Sequence, residues 1–210
     1  MSSGPVPTPS RPTPSLHEQV LERQYGSEQR AQAFYDHQVV DHLNERMRTF
    51  IARMDLMFLA TADADGHCDS SVRAGPPGFV RVLDARRVLY PEYRGNGVMA
   101  SLANIRVNPH ISLLFIDFAD TALGLHVNGR AHLTGPGGPP WPRDTPSDPA
   151  AERWVMVDVE EAYIHCSKHL PRMTRHQEVV EWGTDDPAKK GGDYFGVSAD
   201  RRRSPASARP

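Results

Sequence analysis

Apolar positions along the chain switch from helical to strand-like spacing near residue 55. From Ser27 the sequence reads as helix, with Val40, Leu43, Met47, Phe50 and Ile51 at three- and four-residue intervals on one docking face. Residues 56–61 form a compact apolar run ending in Asp63-Ala64-Asp65-Gly66, a hairpin signal, and residues 67–73 return as the next strand. Ala74-Gly75-Pro76-Pro77-Gly78 then breaks the chain. Residues 79–83 and 87–90 make a second hairpin around Asp84-Ala85-Arg86. Residues 98–107 read as a helix with Met99, Leu102 and Ile105 on its apolar side, stopped by Asn108-Pro109.

The run at 110–118 is continuously apolar, which predicts a central strand. Residues 125–133 alternate and carry Gly129, where a strand must bend or admit a close neighbour. Residues 135–149 are a Pro-rich excursion, residues 154–166 a last long strand, and after Pro171 the pattern dissolves. The sum is a mainly β chain with some α (α+β), with six or seven antiparallel strands and peripheral helices. That count suits a small closed barrel better than an open sheet. The expected division is a disordered tail over 1–15, helices over 16–53, the barrel over 54–172, and a largely irregular extension over 173–210.

Composition narrows the function classes. The 210 residues are 39% hydrophobic, enough for one core, and the formal net charge of −2 gives no bulk field for nucleic acid or an anionic membrane. The Pro- and Ser-rich start lacks the apolar stretch of a signal peptide, and no later run reaches membrane-spanning length, so a cytoplasmic location is expected. Cys68 and Cys166 are read as reduced, structural thiols.

Several residues suit anion binding. Tyr93-Arg94-Gly95-Asn96 places a cation and backbone amides where a helix begins, a natural phosphate site. Ser71 and Arg73 are two apart on one strand and share a face, so a hydroxyl and a guanidinium can converge on one anion. Gly75, Pro76, Pro77 and Gly78 form a rigid turn of little bulk, either open to a flat ring or simply an ordinary tight turn. Asn96 is a helix cap or a ligand contact, and Ser101 and Asn104 lie in the helix itself. Lys168 and Arg172 share a face if that segment is helical, reaching a cofactor or simply facing solvent. His165-Cys166-x-x-His169 lacks the further ligands of a zinc site, so no metal is expected. No nucleophile elbow, Walker loop, Rossmann fingerprint or H-E-x-x-H occurs.

Val88-Leu89-Tyr90-Pro91, Asn108-Pro109-His110-Ile111-Ser112-Leu113-Leu114-Phe115 and Val127-Asn128-Gly129-Arg130-Ala131 resemble the pyridoxamine 5′-phosphate oxidase-like, FMN-binding split-barrel family. Ser71-Val72-Arg73-Ala74-Gly75-Pro76-Pro77-Gly78-Phe79-Val80, Tyr93-Arg94-Gly95-Asn96 and His165-Cys166-Ser167-Lys168 are similar to its probable FMN-dependent branch, in the same order. The resemblance spans roughly residues 50–172. It implies a homodimer of split β-barrels with FMN at the subunit interface, each site drawing on both chains. It also implies oxidoreductase chemistry on a small organic substrate. The FMN contacts it implies are Ser71, Arg73, Gly75, Pro76, Tyr93, Arg94, Gly95, Asn96, Ser101, Asn104, His165, Lys168 and Arg172.

Two departures qualify the resemblance. Ser101 stands near where other members carry a basic phosphate ligand, with Arg94 as compensation. The Arg-x-His motif that holds the vitamin B6 phosphate is missing after Arg172, so the substrate is expected to be something else. The alternative is a non-enzymatic split-barrel protein that binds flavin, deazaflavin or haem.

Overall fold

A computed structural model describes residues 13–136, 141, 148–174, 176, 180–189 and 192–203. Most of the expected tail over 1–15, the middle of the Pro-rich excursion and residues 204–210 lie outside these described residues.

Three helices come first. α1 (Leu16–Tyr25) starts at a capping box in which the Ser15 hydroxyl accepts from the Glu18 amide and the Glu18 carboxylate accepts from the Ser15 amide. α2 (Glu28–Gln38) follows, and α3 (Glu45–Ala52) is capped by the Asn44 side chain, which accepts from the Met47 amide at 3.0 Å. The expected single helix through Val40 and Ile51 is therefore two helices with a break between them. Val40 exchanges backbone hydrogen bonds with Ala162 of the sheet instead. Apolar spacing survived the break because Leu43 and Ile51 are buried in one core cluster and Val40, Met47 and Phe50 pack against it, whichever backbone carries them.

Seven strands form one antiparallel sheet in the order β2-β1-β5-β6-β7-β4-β3. They are β1 (Leu56–Ala62), β2 (Cys68–Ala74), β3 (Arg81–Val82), β4 (Arg87–Tyr93), β5 (His110–Asp117), β6 (Leu123–Thr134) and β7 (Ala151–His165), with helix α4 (Ala100–Val107) between β4 and β5. β5 sits inside the sheet between β1 and β6, as its unbroken apolar run predicts. Leu59 of β1 and Val88 of β4 lie far apart along the ladder yet share one buried cluster, so the sheet curls around a single core.

The curl does not close. β2 and β3 remain the two edges, which corrects the closed-barrel expectation to an open-seamed split barrel. The link between these edges packs inward instead of pairing: Phe79 and Val80 are buried, and the Gly78 amide donates to the Met54 carbonyl beyond α3.

Gly129 carries the predicted close approach. A Cβ there would stand 2.0 Å from the Asp158 carbonyl oxygen, and the β6–β7 register shifts between Asn128 and Gly129. Only glycine lets β7 pass at that bulge. A smaller cluster, Leu89, Trp154 and Met156, lies on the opposite face of β4 and β7, under Trp141 and the Arg81 guanidinium. Both cysteines are free and exposed, so neither serves the core as expected. No helix among the described residues is long and apolar enough to cross a membrane.

The described residues of the C-terminal extension hold a 3-10 turn (Pro187–Lys189) and a short helix, α5 (Val197–Arg203).

Candidate functional site

A cleft of about 590 Å³ opens where edge strand β2, the end of β4 and the start of α4 meet. Its floor comes from alternation. Asp69, Ser71 and Arg73 occupy every second position of β2 and so share one face. Opposite them stand Glu92 near the end of β4 and Ser101 in the first turn of α4.

These five side chains form one network. Arg73 Nε donates to both carboxylate oxygens of Glu92, at 2.9 and 2.8 Å. Its Nη1 donates to the Ser71 hydroxyl at 2.8 Å, and the Ser101 hydroxyl donates to Asp69 at 2.6 Å. Arg73 Nη2 has only a 3.5 Å contact to Ser101, so this end of the guanidinium keeps donor capacity toward the cleft. Glu92 is only 8% exposed, and burial raises its pKa above the ordinary value even though the Arg73 guanidinium pulls the other way. The phenol of Tyr90, two residues earlier, is fully buried and hydrogen-bonds nothing, and burial drives its pKa far up.

The rim is different in kind. Tyr93, Arg94, Gly95 and Asn96 line it as exposed or half-exposed residues. The Asn96 side chain accepts from the Val98 amide at 2.9 Å, outside the helix, so it shapes the turn and does not cap α4. α4 has no side-chain cap at all, and its first turn from Met99 to Leu102 faces the cleft. Tyr93 donates to Asp148 at 2.7 Å and stacks on Trp182, with ring centroids 6.0 Å apart. Arg94 pairs with Asp185 at 3.0 Å.

Of the residues expected at one site, the fold gathers Ser71, Arg73, Tyr93, Arg94, Gly95, Asn96 and Ser101. Asn104 lies a turn further along α4 and donates to Thr61 of β1 at 3.1 Å. Gly75 and Pro76 follow β2 in the inward link, where a Cβ on Gly75 would stand 2.5 Å from the Phe79 Cβ. That glycine serves packing against Phe79.

His165, Lys168 and Arg172 lie elsewhere in the subunit. β7 begins at Ala151, paired with Tyr93 beside the cleft, and runs 15 residues to His165, roughly 50 Å of extended chain. There His165 shares a 2.9 Å hydrogen bond with His126 of β6, whose pKa is lowered by burial and by His165. Arg172 donates to the Asp120 carbonyl at 3.0 Å, and Lys168 is exposed on a short 3-10 turn. The only three His, Cys, Asp or Glu side chains grouped closely enough for an ion, among the described residues, are Asp63, Asp65 and His67 in the exposed β1–β2 turn.

Sequence reasoning missed Asp69, Glu92 and the cleft wall of Glu181, Trp182, Gly183 and Thr184. Asp69 was accessible to it, because it shares the Ser71 and Arg73 alternation.

Fold and cleft define an antiparallel split barrel with a polar pocket at its seam. The chain belongs to the pyridoxamine 5′-phosphate oxidase family, whose sequence model matches residues 43–166. Solved structures with a similar fold include HupZ of Group A Streptococcus, 22% identical, with a TM-score of 0.42, covering 58% of this chain and 93% of that one. HutZ of Vibrio cholerae, described as a haem storage protein, is 16% identical with a TM-score of 0.38, covering 58% and 94%. An FAD-binding protein of Mesorhizobium loti is 13% identical with a TM-score of 0.38, covering 61% and 99%. No curated protein sequence matches the chain.

Proposed function

We propose that this chain is an FMN-binding flavoprotein of the split-barrel type, an oxidoreductase acting on a small organic substrate. The observation that carries the reading is the convergence of Ser71, Arg73, Arg94 and the uncapped first turn of α4 on one cleft. Its volume suits a small-molecule cofactor.

The residues present fit a phosphorylated cofactor. Arg94 and Asp185 are each 55% exposed, so their ion pair is weak and the guanidinium is available to a phosphate. Arg73 Nη2 and the first-turn amides of α4 add donors at the same end. Bound flavin would supply hydride and electron transfer. The chain's residues would orient it: Arg94 and Arg73 grip the anion, Tyr93 and Trp182 form an aromatic wall, and Asp69 and Glu92 accept hydrogen bonds from donor groups of the ligand. No acid or base for the chemical step is assigned.

The distance along β7 also supports a dimeric site. His165, Lys168 and Arg172 do not line the cleft of their own subunit, so on this reading a second copy brings them to the cofactor. The reading therefore includes a twofold dimer burying well over roughly 1,200 Å². Vitamin B6 oxidation is not proposed, because the Arg-x-His signature is missing from the sequence after Arg172.

Absorbance of freshly purified protein tests the reading. Flavin bands near one equivalent per subunit support it. A Soret band would shift the assignment to haem, and a colourless protein that takes up no added FMN would end it.

A further inference from the structure

The segment after the barrel docks on the mouth of the cleft. Glu181, Trp182, Gly183 and Thr184 line one wall, although they stand in a stretch without hydrophobic periodicity. Trp182 stacks on Tyr93 at an interplanar angle of 25°. Gly183 adopts φ +76° and passes so close to Ala150 that a Cβ would stand 3.3 Å from its carbonyl oxygen. The Thr184 amide donates to the Glu181 carbonyl, and Lys189 pairs with Glu181 at 3.0 Å, so the segment is a built turn.

The two acids that follow have different tasks. Asp186 is used locally, accepting from the Ala188 amide at 2.9 Å. Asp185 reaches across to Arg94 at 3.0 Å. An internal carboxylate thus sits on the arginine that an anionic ligand would use.

We infer that the Trp182–Asp185 turn is a displaceable strap, in which Asp185 occupies Arg94 until the phosphate of a bound ligand takes its place. The inference rests on the cleft's being a site for a phosphorylated cofactor. In the ligand-free protein the pair keeps Arg94 ordered and neutralised at the rim. When a phosphate arrives, Arg94 exchanges one oxyanion for another of higher charge, and the strap's hold through Trp182 and Gly183 keeps the wall in place. Asp185 is therefore a positioning residue that lowers affinity while holding Arg94 in readiness. Its removal strengthens binding, the opposite of what loss of a merely structural contact does.

Calorimetric titration of the full-length parent, Asp185→Asn, Arg94→Ala and the double variant, with FMN and separately with inorganic phosphate, tests the strap. Asp185→Asn should bind FMN about two- to fivefold more tightly than the parent, the worth of an exposed ion pair. Arg94→Ala should lose about tenfold or more, and in that background Asp185→Asn should change nothing. FMN binding by the parent with no gain in Asp185→Asn overturns the strap and leaves the flavin reading standing. A gain in phosphate binding by Asp185→Asn, with no FMN bound by any variant, supports the strap and overturns the flavin reading. Failure of all four proteins to bind either ligand overturns both.

Discussion

The cleft holds two arginine–carboxylate pairs of the same chemistry in opposite settings. Arg73 and Glu92 meet on the floor with side chains 20% and 11% exposed, whereas Arg94 and Asp185 meet at the rim with both 55% exposed. On the floor, leaving one partner uncompensated is costly, so the pair behaves as structure. At the rim, water already competes for both groups, so the pair is easily exchanged. Burial therefore decides which arginine is free to change partners, and under the proposed flavin reading that makes Arg94 the main anion ligand, with Arg73 contributing through Nη2 alone.

The largest effect that separates the two pairs is on folding. Glu92→Ala removes the carboxylate that Arg73 Nε donates to, and should lower unfolding free energy by about 3 kcal/mol in a urea titration. Asp185→Ala should leave it within about 0.5 kcal/mol of the parent. Equal losses would remove the distinction between floor and rim.

The next effect is on binding. Arg94→Ala should weaken FMN binding by about 1.5–3 kcal/mol, the worth of a charge-assisted hydrogen bond, with an unchanged urea midpoint. FMN held as tightly as by the parent would place the phosphate elsewhere in the fold.

The smallest effect is a pH dependence. Burial holds the Glu92 pKa above its ordinary value of 4.5. Between 4.5 and that higher value the folded chain keeps a proton that the unfolded chain has lost. The contribution of Glu92 is thus present below pH 4.5 and is lost as pH rises through the folded value. Asp117 runs the other way: burial raises its pKa, but donors from Asp120, Thr121 and Arg53 outweigh this and leave it below 3.8, so its stabilisation is lost as pH falls. Unfolding free energies of Glu92→Gln and the parent, compared from pH 4.5 upward, should diverge in favour of the variant. A constant difference across that range would contradict the buried-carboxylate account.

The strands of the core were legible in the sequence, because burial on a sheet imposes its own period. The apolar run of β5 marked a central strand, and Gly129 marked a place where β7 crosses too closely for a side chain. Helical spacing was less reliable. The apolar residues of 40–51 kept their intervals across a break that Asn44, a strong capping residue, could have signalled.

The site was half legible. Ser71, Arg73 and Arg94 announced themselves as anion-binding types on exposed-looking positions. Glu92 did not, because an acid at the end of an apolar strand reads as surface until the partner 19 residues away is brought across the fold. Trp182 and Asp185 were hidden for a related reason. Their segment has no period of its own and is held in part by contacts to Tyr93, Ala150 and Arg94.

The most direct test of the central claim is to release whatever small molecule the freshly purified, full-length protein carries, weigh it by mass spectrometry and quantify it per subunit. The account predicts FMN, close to one equivalent per subunit, and its loss from Arg94→Ala. Haem or a deazaflavin in its place, or FMN retained in full by Arg94→Ala, would contradict it.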